Sequence, residues 1–474
     1  MQPIKVDVTI LGTGTAGMGA YRAAKAAGKR VLLLEPYHYG TTCARVGCMP
    51  SKLLIAAAEA AHQAHTAEGF GVHLPGGYRV DGRKVMQRVK SERDRFVGFV
   101  VEDVEAFDPA DRLKTSATLI GPKRLQTAEG QLIDTQTLIV ATGSSPFIPE
   151  FFKQAEDRLI INDDLFDWDD LPESVAVFGP GVIGLELGQA LHRLGVRVRI
   201  FGKGGNVGPL QDPKIRQLAA EIFAAEFPFL PDAQVSAIQR TDAGVAITFN
   251  DDTGQSHTET FDYLLAATGR RPNLEGLNLA EAGIATDEQG QPLVDPLTLA
   301  CRYPDGSPAP VFIAGDANND RPLLHEASDE GRIAGGNAAA WPRIQPGHRR
   351  TPLAVVFSDP QIAQAGQTFT ELLSSQGEDQ LAIGEVSFSN QGRSRVMRVN
   401  KGLLRVYADK KTGLLLGAEM LGPRAEHLAH LLAWVIQQQL SVEQLLAMPF
   451  YHPVIEEGLR TALRSAAAQL AKTA

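Results

Sequence analysis

An α/β fold made of two copies of one βαβ unit, followed by an α+β segment, is what this sequence predicts. Three observations carry the prediction. A strand, a glycine triplet, a helix and a second strand occur in that order twice. Each copy is followed downstream by an apolar strand that ends in Ala-Thr-Gly. From about residue 351 the texture changes to alternating strands and amphipathic helices. At 474 residues the chain is also too long for a single core, so several domains are expected.

Residues 6–11, "VDVTIL", have the length and continuous apolar character of a buried parallel strand. Gly12, Gly14 and Gly17 follow, then an Ala-rich helix over 16–27 and the strand "RVLLLE", which ends at Glu35. The second copy starts with "SVAVFG" at 174–179. Gly179, Gly181 and Gly184 come next, then the helix "LELGQALHRLG" and the strand "VRVRIFG". The matching downstream strands are "LIVATGSSPFIP" (138–149) and "LLAATGRRPN" (264–273), and "PVFIAGDA" (310–317) runs into Asp316. "LLRVYADKKTGLLLGAEMLG" (403–422) alternates like a hairpin about a Lys-Thr-Gly turn, ahead of helices around 424–438 and 455–470.

Glycines in this context do specific work. Gly12 permits the tight turn, Gly14 lets the backbone approach a pyrophosphate, and Gly17 allows close helix–strand packing, so the helix N-terminus faces the phosphates. Glu35 is placed to accept hydrogen bonds from a ribose diol. The second triplet supplies a second dinucleotide site by the same logic. Its register differs at the end. Glu35 lies twenty-three residues after Gly12, and the same count from Gly179 reaches Gly202, followed by Lys203. The carboxylate that grips an NAD ribose and repels a 2′-phosphate is therefore missing. Lys203 attracts such a phosphate, but Arg199 is expected to lie along its strand, and one flexible lysine is a weak clamp. The expectation is NAD with weak discrimination against NADP.

Composition excludes several classes. Hydrophobic residues make up 44% and charged residues 21%, as in an ordinary globular protein, and the net charge of -9 argues against nucleic acid or an anionic membrane surface as partner. No apolar run is long enough to span a bilayer. The start, "MQPIKVDVTILGTG", goes straight into a strand without a leader, so a cytoplasmic location is expected. In that compartment a close cysteine pair means metal or redox chemistry rather than a structural disulfide.

Two of the three cysteines, Cys43 and Cys48, lie in "GTTCARVGCMPSKLL" (40–54). On a regular helix, residues five apart are ~7.5 Å apart along the axis, while a disulfide wants Cα atoms at roughly 4.4–6.8 Å. The two can bond only if the segment bends, and Gly47 and Pro50 permit bending. Half a zinc site is a second reading, although no further Cys/Cys or Cys/His pair completes it. Two inert thiols are a third. Cys301, in the loop-like "LACRYPDG", is expected to be structural.

The chain resembles the class I flavoprotein disulfide reductases, or pyridine nucleotide-disulfide oxidoreductases, and among them the dihydrolipoyl dehydrogenases. "GTGTAG", "GTTCARVGCMPSK", "ATGSSPFIP", "GPGVIGLELG", "ATGRRPN", "IAGDA" with "LLHEASDEG", and "YHPVIEEGLR" occur in the family's order over nearly the whole chain. The "PSK" ending is similar to the lipoamide branch. The resemblance implies an FAD-binding domain over 1–150, an NAD(P)-binding domain over 151–270, a central domain over 271–350 that completes the FAD site, and a dimerisation domain over 351–474. Glu35 would hold the adenosine ribose, Ala117 would meet the adenine through its backbone, and Asp316 would hold the ribityl chain. Thr142, Gly143 and Ser144 would line the same cofactor, and Gly269 the second coenzyme. Lys52 would sit at the flavin edge, paired with Glu186.

The resemblance further implies a Cys43–Cys48 redox disulfide, with Cys48 against the flavin and Cys43 the exposed thiol that exchanges with substrate. His452, oriented by Glu457 and reaching across from the partner subunit of a homodimer, would take the substrate proton. The implied reaction is oxidation of dihydrolipoamide by NAD. The substrate would be free or carried on a lipoyl-bearing protein, and the setting a 2-oxoacid dehydrogenase complex if one is served. An NADPH-dependent reductase of another disulfide is the alternative enzyme. A nucleotide-binding redox sensor is the alternative outside catalysis, and it has no need for both cysteines and the His-x4-Glu pair. Plainer readings exist for single residues: His452 as a turn residue, Glu457 as a helix-start carboxylate, Lys52 and Glu186 as surface charges. Three positions depart from the family pattern, Thr41 for glycine, Arg45 for asparagine and Val454 for threonine. They mark a divergent branch.

Overall fold

The computed structural model describes residues 2–251 and 253–471. It divides into one unit of Met1–Pro50, Arg88–Phe147 and Arg270–Arg349 and another of Ser51–Gln87, Ile148–Gly269 and Arg350–Ala474. In the first unit, the strand Ile4–Leu11 is parallel to Val31–Leu34 on one side and to Leu132–Val140 on the other, and Pro308–Ile313 extends the sheet beside Leu132–Val140. Val8 and Ile10 are fully buried, because both faces of this parallel sheet are covered. One cover is the helix Thr15–Ala26, which packs closely on the helix Leu324–Ala340. A Cβ at Gly331 would lie 2.2 Å from the Ala16 carbonyl oxygen, and one at Gly335 2.4 Å from that of Ala20. Small residues on both helices let the backbones approach.

The second unit holds a five-stranded parallel sheet. Its order is Phe229–Leu230, Arg197–Phe201, Ser174–Phe178, Tyr263–Ala266, Leu159–Ile160. Three antiparallel strands, Gln234–Thr241, Gly244–Asn250 and Ser256–Phe261, intervene in the chain before Tyr263. No local motif marks this meander in the sequence. The same unit carries an antiparallel five-stranded sheet in which Leu403–Asp409 and Leu415–Gly422 form the expected hairpin. The helices Ala425–Gln437 and Glu457–Leu470 bury Leu428, Leu432, Leu459 and Leu463 in its core. Cys301 departs from expectation. It lies on the strand Ala300–Arg302 rather than in a loop. Burial without a partner charge pushes its thiol up to about 12, as suits a packing residue. Among the described residues no helix is long and apolar enough to cross a membrane.

Candidate functional site

Cys43 and Cys48 are joined as a disulfide with Cα atoms 4.7 Å apart. The bend that brings them together is at Gly47, not Pro50. Helix Thr42–Val46 stops at Gly47, where φ is −128° and ψ −113°, and a new helix, Cys48–Thr66, starts at once. A Cβ on Gly47 would lie 3.2 Å from both the Thr42 carbonyl oxygen and the Cys43 Cα. Pro50 sits in the first turn of the second helix, where its missing N–H costs nothing. Thr41 has a local reason: its hydroxyl caps the first helix by accepting the Ala44 N–H at 3.1 Å. Arg45 donates to the Tyr39 carbonyl at 3.2 Å. Cys48 is exposed and Cys43 half-buried. Bonded to each other, the two thiols do not form half a zinc site.

The first glycine motif builds a cradle at the end of Ile4–Leu11. Gly12 has φ +105°, and a Cβ there would lie 2.3 Å from the Ala141 carbonyl oxygen. A Cβ on Gly17 would lie 2.0 Å from the Gly12 carbonyl oxygen, whereas around Gly14 nothing lies within 4 Å. Gly14 is the N-cap of Thr15–Ala26, and no side chain of the described residues caps it. The first amides of that helix would suit phosphate oxygens. Glu35 closes over this turn, accepting from the Thr13 amide and hydroxyl, each at 3.0 Å, and from the Tyr37 amide at 3.1 Å. Ala117 starts the strand Ala117–Gly121.

Beside the cradle, the short antiparallel pair Ser144–Pro146 and Arg270–Pro272 lies among four predicted residues. The Ser144 hydroxyl donates to Asp316 at 2.7 Å and accepts from Arg270 at 2.8 Å. Thr142 donates to the Asn273 carbonyl at 2.7 Å, and the Gly143 carbonyl accepts the Asn273 amide at 2.9 Å. Beneath Asp316, the buried Glu330 accepts the Gly315 amide at 2.8 Å and meets Arg349 at 3.0 Å. Burial pushes the Glu330 carboxyl up to about 7 despite Arg349. These residues fit FAD: an open phosphate turn, a carboxylate at the ribose position, and a fixed acid at Asp316.

The second motif repeats the first closely. Gly179 has φ +110°, a Cβ there would lie 2.3 Å from the Ala267 carbonyl oxygen, and one on Gly184 would lie 1.8 Å from the Gly179 carbonyl oxygen. Gly181 is open and caps the helix Val182–Arg193 without a side-chain cap among the described residues. At Gly269 a Cβ would also meet nothing within 4 Å. The ends of the two motifs differ. A Cβ on Gly202 would lie 2.5 Å from the Pro231 carbonyl oxygen and 2.7 Å from the Pro180 ring, so no carboxylate side chain has room there. An acid arrives from the neighbouring strand instead. Asp232 accepts the Gly204 amide at 2.8 Å, beside the exposed Lys203. Arg199 is turned away from the loop into an ion pair with Glu259 at 2.6 Å. The sequence count missed Asp232, because only the sheet order puts the end of Phe229–Leu230 next to Arg197–Phe201.

Two predicted pairs meet. Lys52 lies four residues after Cys48 in the same helix. Its Nζ is 2.7 and 2.9 Å from the Glu186 oxygens, and Glu186 is only 4% exposed. The Phe357 amide donates to Glu186 at 2.9 Å, and Lys52 stands 4.6 Å from the centre of the Phe357 ring. Phe357 carries no motif that would have marked it. His452 is 79% exposed, and its Nδ1 is 3.0 Å from Glu457. That bond first, then the Val454 amide and the charges of His452 and Arg460, hold the Glu457 carboxyl below its usual range. In the neutral ring, with Nδ1–H given to Glu457, the free lone pair is on Nε2.

The chain matches pyridine nucleotide-disulphide oxidoreductase over residues 6–331 and the dimerisation domain of the same family over 353–463. It belongs to that family. It is thus a flavoprotein disulfide oxidoreductase with a redox-active cysteine pair, of a family that uses FAD and NAD(H). Similar curated proteins include dihydrolipoyl dehydrogenases of Thermus scotoductus, 29% identical with 96% of each chain covered, and of Halobacterium salinarum, 29% identical over 97% of this chain and 96% of that one. Similar solved structures include the HOCl-induced flavoprotein disulfide reductase RclA of Escherichia coli as a Cu(II) complex, with TM-score 0.79, 23% identity and 98% and 99% coverage. LpdA of Mycobacterium tuberculosis has TM-score 0.79 and 24% identity, covering 97% of this chain and 99% of its own. The two structures speak for the fold.

Proposed function

We propose that this chain is a homodimeric, FAD-dependent enzyme that oxidises the dithiol of dihydrolipoamide with NAD, a dihydrolipoyl dehydrogenase in activity. The observation that carries the reading is the disulfide at Cys43 and Cys48, bent into place at Gly47, one helical turn before the Lys52–Glu186 pair. A substrate thiolate attacks the Cys43 sulfur, the Cys43–Cys48 bond breaks, and Cys48 leaves as a thiolate. The second substrate thiol then attacks the mixed disulfide. It closes the substrate's own disulfide and frees Cys43. His452 takes the thiol proton on Nε2, while Glu457 holds Nδ1 and stabilises the imidazolium. In this assignment His452 of each subunit serves the disulfide of the other.

FAD would supply the two-electron carrier between the cysteine pair and the nicotinamide. Gly12, Gly14, Gly17, Glu35, Ala117, Thr142, Gly143, Ser144 and Asp316 would hold it, with Lys52 and Glu186 at its reactive edge and Cys48 facing it. Gly179, Gly181, Gly184, Lys203 and Gly269 would hold the nicotinamide coenzyme. An NADPH-dependent reductase of a different disulfide is the second reading, favoured by Lys203 beside a position that cannot carry an acid.

The test is steady-state turnover of dihydrolipoamide with NAD and with NADP. Cys43→Ser and Cys48→Ser each abolish turnover while flavin content stays unchanged. His452→Gln slows it by roughly 10²–10⁴. Survival of dihydrolipoamide oxidation without either cysteine would refute the mechanism, and wild-type preference for NADP would favour the second reading.

A further inference from the structure

The chain has a net charge of -9, yet no acidic residue occurs from 386 to 408, where Arg393, Arg395, Arg398, Lys401 and Arg405 lie. Arg405 pairs with Asp212. The other four are in no ion pair among the described residues. Arg395, Arg398 and Lys401 are exposed and Arg393 is half-buried. Their contacts are neutral. Arg395 reaches the Asn390 side chain at 3.3 Å, and the Arg398 guanidinium donates to the Gly69 carbonyl and stands 5.4 Å from the centre of the Phe70 ring. Two exposed apolar side chains lie among these cations, Val396 at 63% and Phe70 at 56% exposure.

The display is anchored. The buried Ser394 hydroxyl shares its proton between the Phe388 and Gln391 carbonyls, each at 2.7 Å. Gln391 caps the short helix Gly392–Val396 through its Oε1, and its Nε2 donates to the Val454 carbonyl at 2.7 Å. The basic segment is thereby tied to the turn that carries His452 and Glu457. A polar rim of cations around apolar side chains is the anatomy of a protein-docking surface. Complementary charge there raises association rate and selects the partner. Dihydrolipoamide is uncharged and gains nothing from four cations.

Resting on the reading of a dihydrolipoyl substrate, we propose that residues 393–401, with Phe70, form the docking surface for an acidic protein domain that carries the dithiol to His452. The test compares kcat/KM for free dihydrolipoamide, free dihydrolipoate and a reduced lipoylated protein domain of acidic pI, over a range of ionic strength. Wild-type turnover of the domain falls steeply with added salt, while dihydrolipoamide is nearly insensitive. The double variant Arg395→Glu/Lys401→Glu lowers kcat/KM for the domain by roughly tenfold or more and leaves dihydrolipoamide unchanged. The charge-preserving Arg395→Lys/Lys401→Arg restores it. Equal effects of the charge reversal on the domain and on dihydrolipoamide, or a salt-independent rate for the domain, overturn the surface. Slowing of dihydrolipoate as strong as that of the domain overturns it too, in favour of a small anion. If the wild type oxidises neither free nor protein-borne dithiol, the substrate reading fails and the surface with it. If it oxidises both without charge dependence, the surface alone fails.

Discussion

The two glycine motifs are built alike and finished differently. At Gly12 and Gly179 the same left-handed turn presses against a backbone carbonyl 2.3 Å from where a Cβ would sit, and Gly14 and Gly181 are equally open. Past the second strand, one motif ends in Glu35, which folds back onto the turn through Thr13. The other ends in Gly202, walled off by Pro231 and Pro180, with its acid supplied by Asp232. The phosphate cradle is a property of a short local pattern. Which acid stands beyond it depends on the strand end that the sheet brings alongside.

The largest effect that tests this likeness is at the packing glycines. Gly17→Ala and Gly184→Ala push a methyl to within 2.0 and 1.8 Å of a carbonyl oxygen. Each should destabilise by roughly 1–3 kcal/mol or more. Thermal melts with flavin fluorescence should show Gly17→Ala shedding FAD and Gly184→Ala keeping it; loss of FAD in both would break the division between the sites.

Next come the open glycines. Gly14→Ala and Gly181→Ala should fold with little loss, because nothing lies within 4 Å of the added methyl. Their effect should be confined to phosphate approach. Lost contacts of about 1.5–3 kcal/mol give roughly ten- to a hundredfold weaker FAD retention for Gly14→Ala and a similar rise in coenzyme KM for Gly181→Ala. Unchanged coenzyme KM in Gly181→Ala would show that the second turn holds no pyrophosphate.

The difference at the ribose end is sharpened by the coenzyme ratio. Lys203→Ala should lower kcat/KM for NADP relative to NAD by about tenfold, and Asp232→Asn should raise it. No movement of the ratio in either variant would mean that neither side chain reads the 2′ position.

A further effect concerns the support of the first motif alone. Glu330 has its carboxyl raised to about 7 in the fold. Between the ordinary carboxylate range and pH 7 the native state holds a proton that the unfolded chain has lost. Stability therefore falls as pH rises through that window, by at most about 1.4 kcal/mol per pH unit. Glu330→Gln should flatten this slope in urea melts taken across the window. An unchanged slope would place the titration elsewhere.

Both βαβ units, the terminal hairpin and the cysteine pair were legible in the sequence, for one reason. Glycine turns, continuous apolar strands and a spacing of five residues are local constraints. The three-stranded meander over 234–261 was not legible, since its strands show mixed exposure and no motif marks them. The bend between the cysteines was placed at two candidate residues, and backbone geometry chose Gly47.

By itself the sequence determined two dinucleotide cradles, a close thiol pair and a His-x4-Glu turn, because each depends on residues within one or two turns of chain. Only the tertiary structure decided that Lys52 meets Glu186 across 134 residues, and that Gln391 ties a basic segment to the His452 turn. It alone showed that Gly202 has no room for a carboxylate side chain and that Asp232 lies by the following loop. Sheet order and close packing set such contacts, and neither can be read from the spacing of residues along the chain.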